Sequence, residues 1–265
     1  MEAKAQIIET TVVVPASTLT PVPSTNNSAH APPPPPLPVP GEVQIELLPP
    51  SAASDTVLIG KIVDIVCTVY SDSENGIYGP GFVRTTPDEV ARLICHGELV
   101  VAYLVPDSTS STSPAANGNI SASTTATQSN GNGNGEASHH NNEDKSLKSQ
   151  EKIAIGCVYV KQADNSTGEY GMLAIDFPYR SGGLGRKLIQ FVEKRCRDDL
   201  GLTKMRLELL YPIHIEHEGK VRLQKWYSRM GYELAALRDF AKYYPRIQPL
   251  LLGPTEFRVF EKSLV

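Results

Sequence analysis

The alternation of apolar and polar positions first becomes regular at Val43, Ile45 and Leu47, whose every-second-residue spacing predicts a half-buried strand. Over residues 56–70 the period lengthens, and Val57, Ile59, Ile62, Val63, Ile65 and Val66 line a predicted helix capped by Ser54 or Asp55. A Gly- and Pro-containing link at 75–81 leads to Thr86, Pro87, Asp88 and Glu89, a second helix start with a capping hydroxyl, a proline at the first helical position and a glutamate three residues on. This helix ends near His96 and Gly97, and the nearly continuous apolar run 97–105 predicts a strand. Residues 152–160 predict a strand that pairs with it, and 169–175 another. Leu184, Leu188, Ile189, Val192 and Cys196 then recur at helical spacing, in a helix running to about Leu200 and stopped by Gly201. A strand at 204–210, a short helix at 222–230 ended by Gly231, and two short strands at 232–237 and 257–262 complete the pattern. Strands outnumber helices, and the mixture predicts an α/β fold.

Two stretches have no such period. Residues 1–41, with five consecutive prolines from Pro32 to Pro36, favour extended polyproline conformations and are expected to be a disordered tail. Contact with an SH3 or WW-type module is a functional reading of this tail, and a solvated leader the plainer one. Residues 106–150 turn to Ser, Thr, Asn and Gly and are expected to be a disordered insertion in a strand-to-strand loop, whose closure cost grows only logarithmically with length. His139 and His140 within it read as solvated rather than as metal ligands. One domain over 42–265 therefore remains, with a folded part of roughly 180 residues, enough for a substantial interior.

Charge narrows the function classes. A formal net charge of -4 supplies no broad basic surface, so nucleic acid is not expected as a partner. No run of apolar residues is long enough to span a bilayer, and no leader pattern opens the sequence, so the expectation is a soluble intracellular protein of the cytoplasm, with the nucleus left open, and without a membrane partner. Cys67, Cys95, Cys157 and Cys196 lack ligand spacing and read as reduced residues in or near the core, with no metal expected.

The most informative stretch lies between the strand ending at Ile175 and the helix beginning near Leu184. Gly182, Gly183 and Gly185 let backbone approach an anion, the amides and dipole of a helix N-terminus stabilise phosphate, and Arg180 and Arg186 add charged donors. The same glycines also suit a turn with no ligand at all. The string matches neither GxxxxGK[ST] nor GxGxxG, which weakens a nucleotide-binding P-loop or Rossmann reading.

Arg180, Gly183 and Gly185 resemble the Arg/Gln-x-x-Gly-x-Gly/Ala signature of the GNAT superfamily of N-acetyltransferases, and they follow Leu173, Ala174, Ile175 and Asp176. Tyr227, Gly231 and Tyr232 resemble its second signature, Tyr-x-x-x-Gly-Phe/Tyr. The resemblance covers residue 43 to the C-terminus apart from the insertion and is sharp over 169–232. It implies a mixed, largely antiparallel sheet that splays near its middle and is flanked by helices. It also implies acetyl-CoA as cosubstrate, its pantetheine arm along Leu173, Ala174 and Ile175, and its pyrophosphate on Arg180, Ser181, Gly182, Gly183, Leu184, Gly185 and Arg186. Amides on that strand would polarise the thioester carbonyl. Tyr227 matches the tyrosine that protonates the departing thiolate, with simple packing beside Trp226 as the other reading. Glu169 is the favoured base for the amine and Glu208 its rival, either of which could also be a solvated carboxylate.

One departure stands out: Lys220 and Leu223 occupy positions where the family often has Asn and Ala. The resemblance places the acceptor cleft at 75–81 and 243–253, with Tyr78, Tyr103, Tyr211, His214 and Tyr244 in or near it, a lining that suits a small primary amine or an aryl-bearing one. Acetyl transfer to an amine of a small molecule, in preference to a protein, is thus the leading expectation. A non-catalytic acyl-CoA-binding module and an interaction protein built around the Pro-rich tail are its competitors.

Overall fold

The computed structural model describes residues 41–106 and 152–265, so the Pro-rich tail, the Asn- and Gly-rich insertion and its two histidines lie outside the described residues. β-Branched and aromatic residues crowd the segments that become strands: β1 (Gly41–Leu47), β2 (Leu99–Pro106), β3 (Ile153–Gln162), β4 (Thr167–Ile175), β5 (Lys204–Pro212), β6 (Glu233–Asp239) and β7 (Thr255–Ser263). They form one sheet in the order β1-β2-β3-β4-β5-β7-β6. Every neighbouring pair is antiparallel except β4 with β5. The expected pairing across the insertion is present, with Leu104 opposite Ile153 at the point where the described chain leaves and rejoins the sheet.

Two helices cover one face. α1 (Thr56–Ser73) starts at Asp55, whose Oδ1 accepts hydrogen bonds from the amides of Val57 (3.1 Å) and Leu58 (2.9 Å), so the cap is the aspartate and not Ser54. Its inner stripe is Ile59, Ile62, Ile65, Val66 and Val69, whereas Val57 in the first turn stands 82% exposed. α2 (Pro87–Cys95) is capped by Thr86 as predicted, but Glu89 accepts from the Thr85 hydroxyl (3.1 Å), so a neighbouring threonine receives the carboxylate. These helices pack on Leu99, Val101, Cys157, Met172 and Ala174.

α3 (Leu184–Lys194) and α4 (Glu218–Arg229) cover the opposite face. Leu184, Leu188, Ile189, Val192 and Cys196 are all buried, as their spacing required. The helix does not stay regular to Leu200: a π-helical turn, Arg195–Asp199, widens its end and brings the Leu202 amide onto the Cys196 carbonyl at 2.9 Å. α4 begins at Glu218, four residues ahead of expectation, with His217 as cap. A short helix, α5 (Phe240–Tyr243), follows β6, and Phe240 joins Ile77 and Leu210 in a third, smaller apolar cluster.

All four cysteines are free, and among the described residues no group of three or more potential ligands is placed to hold a metal. No described helix is long and apolar enough to cross a membrane.

Leu188 is fully buried between α3 and the sheet. Leu188→Ala is therefore expected to cost about 3 kcal/mol, read as a lowered urea midpoint with an unchanged slope.

Candidate functional site

The site exists because β4 parts from β5. Those strands pair only from Thr167 opposite Lys204 to Glu169 opposite Arg206, and beyond Glu169 the β5-facing edge of β4 has no strand partner among the described residues. A bulge accompanies the parting. Tyr159 lies opposite Gly171 and Cys157 opposite Ala174, so Met172 and Leu173 together face Val158 alone, and Met172 takes a positive φ of 50°. Gly171 is required here, since a Cβ at this position would lie 2.7 Å from the Tyr159 ring. A cleft of about 850 Å³ fills the gap between the strands.

At one end of the cleft stands the glycine-rich turn. Ser181 (φ 69°) and Gly183 (φ 78°) both adopt left-handed backbone, which turns the chain sharply out of the sheet into α3. Gly183 is the N-cap and offers no side-chain cap, so the amides of the first turn of α3 keep their donors for a ligand. Gly185 permits the close approach of α3 to β4 and α4, for a Cβ there would lie 3.2 Å from Ile175 and 3.5 Å from the Trp226 ring. Arg180 lies over the Phe177 ring at 3.8 Å, donates through Nε to the Ile175 carbonyl (3.2 Å) and faces Asp72 of α1 at 3.7 Å. Arg186, itself exposed, lines the cleft from the first turn of α3.

At the other end lie two carboxylates on adjoining strands in different electrostatic states. Glu169 accepts hydrogen bonds from Nη2 (2.6 Å) and Nε (3.0 Å) of Arg206, and Lys161 approaches its other oxygen at 3.0 Å. Burial pushes its pKa upward, but Lys161 and Arg206 outweigh burial and hold it below the ordinary carboxylate value. Glu208 is the converse case: burial, then the neighbouring Glu169 charge, raise its pKa against the opposing pull of Arg238, which donates to it at 2.6 Å. Tyr227 reaches the cleft from α4, packed against Trp226 and Phe260. Burial raises its phenol pKa well above the ordinary value, keeping the hydroxyl protonated at neutral pH.

Of the residues expected at the site, Glu169, Leu173, Ile175, Arg180, Ser181, Gly183, Leu184, Gly185, Arg186 and Tyr227 line this one cleft. Gly182 does not, and the Ala174 side chain points into the core on the α1 face, 1% exposed, leaving only its main chain at the strand edge. Tyr78 and Tyr244 line the far end. The three other aromatic or titratable residues expected near the acceptor lie elsewhere: Tyr103 is buried beneath α1, Tyr211 lies under Arg258 at 3.3 Å, and His214 bonds the Pro254 carbonyl.

The sequence reading missed the wall between the two ends. Lys220 is 3% exposed, and its Nζ donates to Glu74 Oε1 at 3.4 Å. Arg84 Nε faces the other oxygen of Glu74 at 3.7 Å, and its guanidinium lies 4.3 Å over the Tyr70 ring. Burial lowers the Lys220 pKa, with Glu74 opposing the shift. This cluster ties the end of α1, on one arm of the parted sheet, to α4 on the other. Its only local sign is a lysine where the resembled signature has an amide.

Comparison with known proteins adds a family. Residues 145–234 match the family described as the acetyltransferase (GNAT) domain. No curated protein sequence matches the chain. Among solved structures, the PaiA N-acetyltransferase of Thermoplasma acidophilum, in complex with coenzyme A, is 12% identical at a TM-score of 0.48, the match covering 84% of this chain and 99% of that one. The aminoglycoside 6'-N-acetyltransferase of Enterococcus faecium is 11% identical at a TM-score of 0.47, over 84% and 97% of the two chains. The N-acetylglutamate synthase of Neisseria gonorrhoeae, in complex with coenzyme A and N-acetyl-glutamate, is 12% identical at a TM-score of 0.46, with 85% of this chain covering only 36% of that protein's length.

The Glu169–Arg206 pair has a testable energetic consequence. A carboxylate whose folded pKa is depressed stabilises the fold at pH values above its unfolded pKa and loses that contribution as pH falls through the folded value. Arg206→Met is expected to cost about 2 kcal/mol at pH 7 in urea denaturation, a penalty that closes as the pH drops below about 4.

Proposed function

As a member of the GNAT superfamily of acetyltransferases, this chain, we propose, transfers an acetyl group from acetyl-CoA to the primary amine of a small molecule, inside the cell. The observation that carries the reading is continuity: a single cleft joins an anion-binding turn, an unpaired strand edge, and a protonated phenol with two carboxylates.

The residues present fit the donor. The α3 amides with Arg180 and Arg186 would hold the pyrophosphate, and open space around Gly183 leaves room for it. The free edge of β4 at Leu173 and Ile175 supplies main-chain partners for the amides of a pantetheine arm. When bound, acetyl-CoA supplies an activated acyl group whose C–S bond breaks as the bond to the amine nitrogen forms.

An amine at neutral pH enters as an ammonium and must lose a proton before it can attack. Glu208 is the better placed base. Its raised pKa brings proton affinity nearer to the working pH, whereas Glu169 is held as a carboxylate by Arg206 and Lys161. On this reading Glu169, engaged by Arg206 and Lys161, acts as a positioning residue, with Glu208 taking the base role. Tyr227 gives its proton to the departing sulfur and recovers one from the new amide nitrogen. Only the proton on Glu208 then remains for release to solvent.

A second reading has one observation in its favour. Tyr227 is 7% exposed and flanked by aromatic rings, an environment that also suits a purely packing role in a module that binds acyl-CoA without turnover.

Calorimetric titration with acetyl-CoA separates the possibilities. Micromolar binding is expected in the wild type, and Gly183→Asp, which sets a carboxylate in the turn, should abolish it. Gly183→Ala carries the same left-handed strain of about 1 kcal/mol without the charge and should weaken binding by much less. No binding by the wild type removes the donor assignment.

Thiol release then reads the chemistry. Glu208→Gln is expected to lower kcat about 100-fold and to erase an acid limb in kcat/KM that lies above the ordinary carboxylate range, since activity rises with pH as the carboxyl loses its proton. Tyr227→Phe should lower kcat with little change in the KM for acetyl-CoA. Unchanged turnover in that variant assigns Tyr227 to packing.

A further inference from the structure

The far end of the cleft carries information about the acceptor. Five partly exposed aromatic rings from four separate parts of the chain converge there: Tyr78 and Phe82 from the segment after α1, Tyr159 from β3, Tyr244 after α5, and Phe257 from β7. Tyr78 and Phe82 are stacked at 3.6 Å between centroids with 7° between planes, and Tyr244 meets Phe257 edge-on at 5.4 Å. Behind them lie Ile77, Leu210 and Phe240. The cleft-facing carboxylates of this region, Glu169 and Glu208, sit on adjoining strands, and both act electrostatically on Tyr159 and Tyr244. The rings thus share this region with the two strand carboxylates and with Glu74 and Arg84, which act on Tyr78.

The end is also roofed. Gly79 donates to the Leu250 carbonyl at 2.7 Å and Leu252 to the Ile77 carbonyl at 2.9 Å, and Tyr78 forms a β-bridge with Leu251. A peptide backbone lying across the cleft would need the groove that this ladder closes. A polyamine or an amino sugar could use the hydroxyls of Tyr78, Tyr159 and Tyr244, so the flat faces of the rings, stacked and edge-on, are what favour an aryl group here.

We propose that the acceptor is a primary arylalkylamine, its ammonium directed to Glu208 and its flat ring seated among Tyr78, Phe82, Tyr244 and Phe257. The inference rests on the acetyltransferase reading above. One or two ring contacts of this kind give a preference of about tenfold over an alkyl chain.

The experiment compares kcat/KM for 2-phenylethylamine and tryptamine with n-hexylamine, putrescine, phenylalanine and a lysine-containing peptide, following acetyl-CoA-dependent thiol release by the full-length protein. Both arylalkylamines should exceed every other amine about tenfold or more. Tyr244→Leu and Phe82→Leu should each lower the ratio of 2-phenylethylamine to hexylamine several-fold through KM, while calorimetric acetyl-CoA affinity confirms that the variants are folded. Phe82 lies on a surface segment and serves where Tyr244→Leu fails to fold.

Equal or faster turnover of hexylamine, putrescine, phenylalanine or the peptide overturns the proposal. A ratio that neither variant moves also overturns it. Wild-type protein that binds acetyl-CoA but acetylates none of these amines overturns the acceptor assignment alone. Wild-type protein that fails to bind acetyl-CoA overturns the acetyltransferase reading, and the acceptor assignment falls with it.

Discussion

Everything distinctive about this molecule depends on a hydrogen-bond ladder that stops early. β4 and β5 run parallel and pair over three residues, from Thr167 to Glu169, before the strands diverge. A fully paired sheet would satisfy those edges internally and leave no cavity. Here the bulge at Met172 and Leu173 bends β4 away, and the main chain left without a β5 partner faces the cleft. The cleft is the space left by the missing pairs, bordered by the turn at one end and the aromatic wall at the other.

Burial of charge is the second constraint. Separating the strands brings water-accessible volume close to the sheet interior, and ionisable groups sit at its edge with unequal compensation. Two cations meet the carboxylate of Glu169, while Glu208 accepts from Arg238 beside a like-charged neighbour. The pKa values of two glutamates on adjoining strands are thereby driven in opposite directions. Such divergence gives two like groups on neighbouring strands unequal proton affinities.

Local periodicity carried much of the architecture into the sequence. The five α3 residues at helical spacing are all buried, and the capping threonine of α2 does the work its motif implied. What local pattern could not contain was long-range. The bulge in β4 shows only as a glycine, and its reason, the Tyr159 ring, lies on another strand. Lys220 and Glu74 meet across 146 residues of sequence, and no spacing rule links them. The start of α4 was hidden because its cap is a histidine and its second residue a glycine, both weak signals for a helix. Tyr103, Tyr211 and His214 show the same limit from the other side, since residue type near a loop does not say which way a side chain points.

The tie between Glu74 and Lys220 sets the character of the cleft. Its two carriers belong to helices on opposite arms of the divided sheet, and both side chains are almost wholly shielded from solvent. Spreading the arms would strand a charge in a poorly solvating medium, at a cost of about 3 kcal/mol or more. The pair therefore opposes separation of the walls, and to that extent the cleft is a mould rather than a jaw. Selection in a mould is made by shape and surface chemistry already in place, with little ordering entropy left to lose on binding. Its tolerance for new ligands accordingly resides in the side chains that face the void rather than in movement of the frame that carries them.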